Sequence, residues 1–413
     1  MQPFSALILL SVVINCGCYF LISRKLKSAF NVTTLYFASM LFFDHFLGYA
    51  NLALFGNVPS TYALGITYGT YALSGIAIFL ATCIFHPPEL GWLHLRPQKL
   101  YLRTLPLAIL VLSALIYLPV LITYRQYISE PRLIYTSTRT GWGPIFFVSI
   151  LLCDIAFVLF LFKAKKSIFT QIIFWVSCPL LLYLHGTKGS ILSLALVYVL
   201  FRVNVQNKPF GFTKAFGVGL VLITVFIAIF AVFRRADNDT SLLLSIAGYS
   251  DYDRNGMNVI DHPMPGYPFL GRIALEQEFY TRIPRAVMPN KPKNFGPFLL
   301  AEYYFPSWFE SDTGSPAFGI GARYADFGPF TLIIEPLLNG IIFAFASGIA
   351  RVNQKLKRID LFIVMLFFSG ITLLPVGTGF LLPETLCFAW LVQRCAALRI
   401  YFVAPPSSVL RDA

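Results

Sequence analysis

The sequence predicts an all-α polytopic integral membrane protein, with about eleven transmembrane helices and one large loop on the outer side. Three observations carry that prediction. Hydrophobic residues make up 57% of the 413-residue chain and charged residues only 12%, with a mean hydropathy of +0.70; an ordinary soluble chain carries about 25% charge. Apolar runs approaching or reaching the roughly 17–25 residues that span a bilayer recur along the chain. Lys and Arg collect in every second connection between those runs, as they do in loops retained on the cytoplasmic side.

In order, the runs are 4–22, 32–55, 62–85, 105–123, 144–162, 168–184, 190–201, 215–233, 329–349, 361–379 and 383–400. The seventh is short and the last two lie close together, so the count carries a tolerance of one or two. "RKLK" (24–27), "LRPQKLYLR" (95–103), "KAKK" (163–166), "RVNVQNKPFGFTK" (202–214) and "RVNQKLKRID" (351–360) then share one side, the cytoplasm. The N-terminus is outside and the C-terminus inside. Positive charge follows the first run instead of preceding it, unlike a secretory signal peptide. The net charge of +13 is read as inner loops facing anionic lipid, not as nucleic-acid binding.

The chain therefore divides into 1–233 (the first eight helices), 234–328 (the large outer loop) and 329–413 (the last three helices and a short inner tail). The loop is nearly balanced, with nine Lys/Arg facing eleven Asp/Glu. A helix is expected around 268–282, with irregular connections, packed against the membrane domain because so short a segment hardly makes its own core. All seven Cys fall in the apolar runs, where they read as small packing residues.

The outward cations stand against the charge bias. "EFYTRIPRAVMPNKPKNFG" (278–296) holds Arg282, Arg285, Lys291 and Lys293 among three prolines. "YRQYISEPRLIYTSTRTGWGP" (124–144) keeps Arg125, Arg132 and Arg139, and the turn "LHGTKGS" (184–190) keeps Lys188 between glycines. Arginine's planar donors fit phosphate oxygens two at a time, and prolines reduce the entropy lost when an anion is held. If the chain is helical there, Arg282 and Arg285 share a face. Two readings stand: anion binding, or surface pairing of Arg282 and Arg285 with Glu276, Glu278 or Glu302. Lys188 likewise either meets an anion at membrane depth or snorkels to headgroups.

Metal ligation finds little support. The five His show no ligand spacing and pair with no Cys. "DYDRNGMNVIDH" (251–262) opens like a calcium loop but ends on His262 where a bidentate Glu is required, so a polar turn held by Asx hydrogen bonds is expected. Asp44 and Asp154 lie mid-run, where an ionisable group marks either a pathway or an interhelical hydrogen bond; pairing with His45 would account for Asp44.

"IPRAVMPNKP" (283–292) resembles the signature in the large periplasmic loop of bacterial O-antigen and oligosaccharide repeat-unit polymerases. Arg285 and Gly296, separated by ten residues, match that family's Arg-x10-Gly pattern; "GIGARYADFGPF" (319–330) and "GTKGS" (186–190) are similar to two further segments of it. Two positions depart: Ala322 stands where the family has Glu, and Asp326 where it has Asn.

The resemblance implies a GT-C-like glycosyltransferase architecture in the bacterial inner membrane, with its active site facing the periplasm. It implies joining of undecaprenyl-pyrophosphate-linked oligosaccharide units without cofactor or metal, with membrane lipid and a polysaccharide chain-length regulator as partners. A hydroxyl of one unit attacks the anomeric carbon of the growing chain and lipid pyrophosphate leaves. Arg282, Arg285, Lys188, Lys291, Arg323 and Arg139 are the expected pyrophosphate ligands. Arg285, Glu278 and Asp326 are the expected catalytic residues. Glu276, Glu335 and Glu384 are further candidate bases, with His185 and His262 behind them. A lipid-linked oligosaccharide ligase would use the same chemistry. A flippase for the same carrier is the third reading, although transporters usually show paired halves.

Overall fold

A computed structural model describes residues 3–56, 58–85, 95–97, 99–138, 141–164, 166–233, 242–283, 287–310, 316–374 and 381–398. Among them the regular structure is helical throughout, with no strand. This follows from the composition: in a bilayer every backbone N–H and C=O must be satisfied within its own segment, which a helix does by itself.

Each predicted apolar run carries a helix. The first is α1 (Pro3–Lys25). Next, α2 (Val32–Met40) passes through a π-helical stretch, Leu41–Leu47, into α3 (Gly48–Phe55). Then α4 (Thr61–Phe79) ends in a second π-helical stretch, Leu80–Ile84. They are followed by α5 (Leu105–Thr123), a short α6 (Pro131–Ser137), α7 (Gly143–Phe162), α8 (Ile168–Leu184), α9 (Lys188–Asn204) and α10 (Phe212–Phe233). The large loop folds into α11 (Leu242–Gly248), α12 (Tyr252–Asp261), α13 (Arg272–Arg282), α14 (Pro297–Tyr304), α15 (Pro306–Glu310) and α16 (Ile320–Phe327). The chain closes with α17 (Thr331–Leu356), α18 (Ile359–Phe368) and α19 (Leu382–Ala397).

Helix starts follow local chemistry. Asn31 caps α2 in a reciprocal box with Thr34, and Ser60 and Ser167 accept backbone N–H bonds at the starts of α4 and α8. Among the described residues, five stretches are long and apolar enough to cross a membrane: Ala6–Lys25, Thr61–Ile84, Leu105–Thr123, Gly143–Phe162 and Ile320–Leu356. The run 190–201 understates its helix, which reaches from Lys188 to Asn204. The run 361–379 overstates its own: α18 stops at Phe368, and Gly370, at φ +79°, turns the chain out of the helix.

The two ends of the bundle differ in chemistry. At one end the basic connections bond to one another: Ala29 N–H to Phe210 O (2.8 Å), Lys163 Nζ to Arg103 O (3.0 Å), Arg358 Nη1 to Arg96 O (2.8 Å) and Asn207 Nδ2 to Gln354 O (3.3 Å). At the other end lies the large loop. Asn51 Nδ2 donates to Ala247 O (2.8 Å), Asp261 accepts from the Ser60 backbone and hydroxyl, and Tyr62 and Tyr324 hydroxyls meet at 3.0 Å.

The loop holds a small cluster of its own, in which Val259, Ile273, Leu300, Ala301, Phe318 and Ala325 are buried. Its tightest crossing joins α12 to α16. A Cβ at Gly321 would lie 2.4 Å from Gly256 Cα, so both helices need glycine there. The loop thus has a core, but one completed by docking on α4. All seven cysteines are free thiols.

Candidate functional site on the large loop

The site is built on α13. Tyr267–Gly271 ends the preceding turn, and Gly271, at φ +90°, leads into the helix. The first turn of α13 is held from outside its own segment. Asp326, buried in α16, accepts Ile273 N–H on one carboxylate oxygen (2.8 Å) and Ala274 N–H on the other (2.9 Å). Burial pushes the Asp326 carboxyl up, and those two N–H donors with Arg323 pull against it. Asp326, expected as a base, therefore sits as the N-terminal anchor of α13, a role suited to a carboxylate.

At the other end α13 stops at Arg282, because Pro284 disfavours a helical conformation at Ile283, which is extended (φ −98°, ψ 111°). The helix that would place Arg282 and Arg285 on one face does not continue to Arg285. Pro284, Arg285 and Ala286 lie outside the described residues. The chain on either side is tied together: Lys291 Nζ donates to Ile283 O at 3.1 Å and stands 4.8 Å from the Phe295 ring centroid. Gly296 closes the segment, at φ +58°, with the space for its missing Cβ taken by Gln277. The Arg-x10-Gly spacing thus has a physical basis on its glycine side: only glycine lets the start of α14 lie this close to α13.

Arg282 is held by two carboxylates. Its Nε donates to Glu384 Oε1 of α19 at 2.6 Å, and its Nη1 to Glu278 Oε2 one turn back at 2.8 Å. These bonds hold the guanidinium above the usual arginine range. Arg323 meets Glu335 of α17 at 3.3 Å. Both cations therefore join the loop to a carboxylate near the start of a later helix, Glu384 in α19 and Glu335 in α17. Glu276, in turn, pairs with Arg272 at 2.6 Å. The surface-pairing reading is realised for Arg282, through Glu278 and through Glu384, a partner the sequence did not single out.

Lys188 opens α9, but its side chain lies outside the described residues, as does Arg139. Arg132 stacks 4.5 Å from the Tyr135 ring centroid. His185 is buried, stacked 3.6 Å from Tyr117, and both ring nitrogens are engaged, by Leu181 O at 2.6 Å and Ser149 Oγ at 3.1 Å. That makes it a core residue. The stretch 251–262 is neither a calcium loop nor an Asx-held turn, since Tyr252–Asp261 is the helix α12.

A second constellation joins residues that the sequence had flagged separately. Asp44 lies in the π-helical stretch of the second run, and Tyr252 Oη–H donates to its Oδ1 at 2.7 Å. Tyr71 Oη–H donates to Asp253 Oδ1 at 2.5 Å, with Asp44 Oδ1 at 3.5 Å. Burial, then the charge of Asp44, drives the Asp253 carboxyl well above the usual carboxylate range. His45 is not Asp44's partner; it bonds Ser11 Oγ at 2.8 Å and Met40 O at 3.2 Å. The only sequence signal was two isolated acidic motifs, Asp44 and "DYD", about two hundred residues apart.

Two curated proteins named O-antigen polymerase, from Salmonella typhimurium (strain LT2) and Salmonella typhi, are each 38% identical to this chain over 289 residues, covering 68% of the chain and 68% of each relative. The chain belongs to the O-antigen polymerase family. No protein-family profile matches it, and no solved structure does. In this O-antigen polymerase family member, the loop cations and their carboxylate partners are thus the groups whose chemistry has to be explained.

Proposed function

We propose that this protein polymerises undecaprenyl-pyrophosphate-linked oligosaccharide repeat units into O-antigen at the periplasmic face of the bacterial inner membrane. The observation that carries the reading is the 38% identity to the two Salmonella O-antigen polymerases. Eleven membrane helices, in a GT-C-like arrangement with the 234–328 loop outside, are part of the same proposal. The gathering of basic connections at the opposite end supports that orientation.

The reaction forms a bond between an acceptor hydroxyl oxygen and the anomeric carbon of the growing chain. The bond from that carbon to the pyrophosphate oxygen breaks, and its electron pair leaves with lipid pyrophosphate. Arg285, Lys291 and Arg282 supply positive charge to the leaving group, a task fixed cations perform without a divalent metal. Lys188, Arg139 and Arg323 complete the cationic surround. Arg282 couples charge stabilisation to proton transfer. A pyrophosphate that takes its donors releases Glu278 and Glu384 beside the substrate, and one of them accepts the hydroxyl proton. Asp326 acts by holding α13, and hence Arg282, in place. A chain-length regulator would act on the product of this site.

Deleting the gene in its own host should leave lipid A capped with single repeat units, and returning the wild-type gene should restore the polymer ladder. A host lacking even the single-unit cap would instead mark the chain as a ligase. Arg285→Ala should lose about 2–5 kcal/mol of charge stabilisation, roughly a 30-fold to several-thousand-fold drop in rate. Arg285→Lys should recover only part, having charge without the two-pronged geometry. Unchanged ladders from Arg282→Ala and Arg285→Ala combined, at equal protein level, would remove the pyrophosphate role.

A further inference from the structure

One cavity lies far from the loop, at the basic end of the bundle. It measures about 1080 Å³ and lies between the 95–103 connection, the end of α7, the end of α9 and the turn after α17. Its wall is apolar, formed by Leu100, Leu102, Leu161, Phe162, Phe201 and Val205. Four cations also line it: Arg103, Lys163, Lys166 and Lys357. Among the described residues, no Asp or Glu lines it and none of the four cations forms an ion pair.

The cations are placed, not merely near. Lys163 Nζ donates to Arg103 O at 3.0 Å, which draws the α7 end and the 95–103 connection together. Lys166 folds back to Leu161 O at 3.0 Å and stands 4.7 Å from the Phe160 ring centroid. Its half-burial pulls the ammonium below the usual lysine range. A lysine held this way, with ring faces and a carbonyl but no anion, gains most from a negative ligand. Short loops need no such chamber to satisfy the charge bias, since exposed lysines reach headgroups by themselves.

We propose that this cavity binds one anionic phospholipid from the adjoining leaflet, its phosphate among Arg103, Lys163 and Lys166 and its upper acyl chains against the leucine and phenylalanine wall. Basic pockets between membrane helices at the cytoplasmic side have this chemistry. The site is separate from the loop, and no step of polymerisation passes through it. It anchors the connections whose mutual bonds hold that end of the bundle.

The full-length protein, delipidated in a neutral detergent, should be titrated with phosphatidylglycerol, phosphatidylcholine and glycerol 3-phosphate, with bound species read by native mass spectrometry. Phosphatidylglycerol should bind saturably at one site, with the other two far weaker. Lys163→Gln with Lys166→Gln should weaken it roughly 30-fold, about fivefold per cation removed, and the paired Lys→Arg changes should restore it. If the Gln pair folds poorly, Val205→Trp decides: it fills the apolar wall and should lose the lipid with every cation present. Equal binding of phosphatidylcholine, or full phosphatidylglycerol binding by the Gln pair or by Val205→Trp, would overturn the proposal. So would glycerol 3-phosphate binding as tightly as the lipid, since the site would then be one for soluble phosphate.

Discussion

Asp253 accepts one hydrogen bond, from Tyr71, while its other carboxylate oxygen is buried without a partner and fills the space a side chain at Gly48 would need. A buried charge in that state is expensive, so the group favours its protonated form. The sign of the pH effect follows. Its folded pKa is raised above the unfolded one, so its stabilising contribution is complete at low pH and is lost as pH rises through the folded value. Asp253→Asn keeps the shape and the Tyr71 bond and removes the charge. The thermal midpoint of Asp253→Asn minus that of wild type should therefore grow steadily between about pH 5 and pH 8. A difference independent of pH would mean that Asp253 is not held protonated. The same scale shows why the acidic candidates on the loop were hard to rank by sequence. Glu276, Glu278, Glu335 and Glu384 are distinguished by their arginine partners: the first two pair one helical turn away, with Arg272 and Arg282, whereas Glu335 and Glu384 pair through contacts that no local pattern encodes.

At the level of elements, the loop depends on helices crossing closely. The α12–α16 contact brings Gly256 and Gly321 backbone to backbone, and α16 carries both Asp326, which anchors α13, and Arg323, which reaches α17. Gly321→Ala puts a methyl group where none fits, and overpacking of this kind costs about 1–3 kcal/mol. The expected result is a loop cleaved faster by protease under native conditions, with the polymer ladder weakened although no cation has been touched. Protease resistance equal to wild type would show that the crossing is not what holds the loop. The helix predicted around 268–282 appears as α13, shortened at its start by Pro268 and Gly271, whose turn chemistry was readable. What was not readable was that 251–262 becomes a helix. Its polar residues suggest a turn, and only packing of Met257, Val259 and Ile260 against neighbouring elements overrides that preference.

Across the whole molecule, each apolar run carries a helix, because an apolar segment in a membrane must satisfy its backbone groups within itself, although the helix of 361–379 stops at Phe368. The docking of 234–328 onto α3 and α4 was legible only as the expectation that so small a loop must lean on something. Its route through Asp44, Tyr71 and Asn51 required knowledge of which helices are neighbours. Sidedness is open to a direct check. In intact cells a membrane-impermeant thiol reagent should modify a cysteine introduced at Asn290 and spare one at Leu356, in a background without the exposed Cys16, Cys387 and Cys395. The reverse pattern would turn the cationic stretch into an ordinary inner loop.

The central claim is that cations of the large loop, without a divalent metal, stabilise lipid pyrophosphate as it leaves the growing chain. The purified protein, given its lipid-linked repeat units in excess EDTA, tests it most directly. The account predicts polymer from the wild type at an undiminished rate and, from an equal amount of folded Arg285→Ala, a rate lower by roughly 30-fold or more. Wild-type activity that EDTA abolishes and a divalent cation restores, or an Arg285→Ala rate equal to wild type, would contradict it.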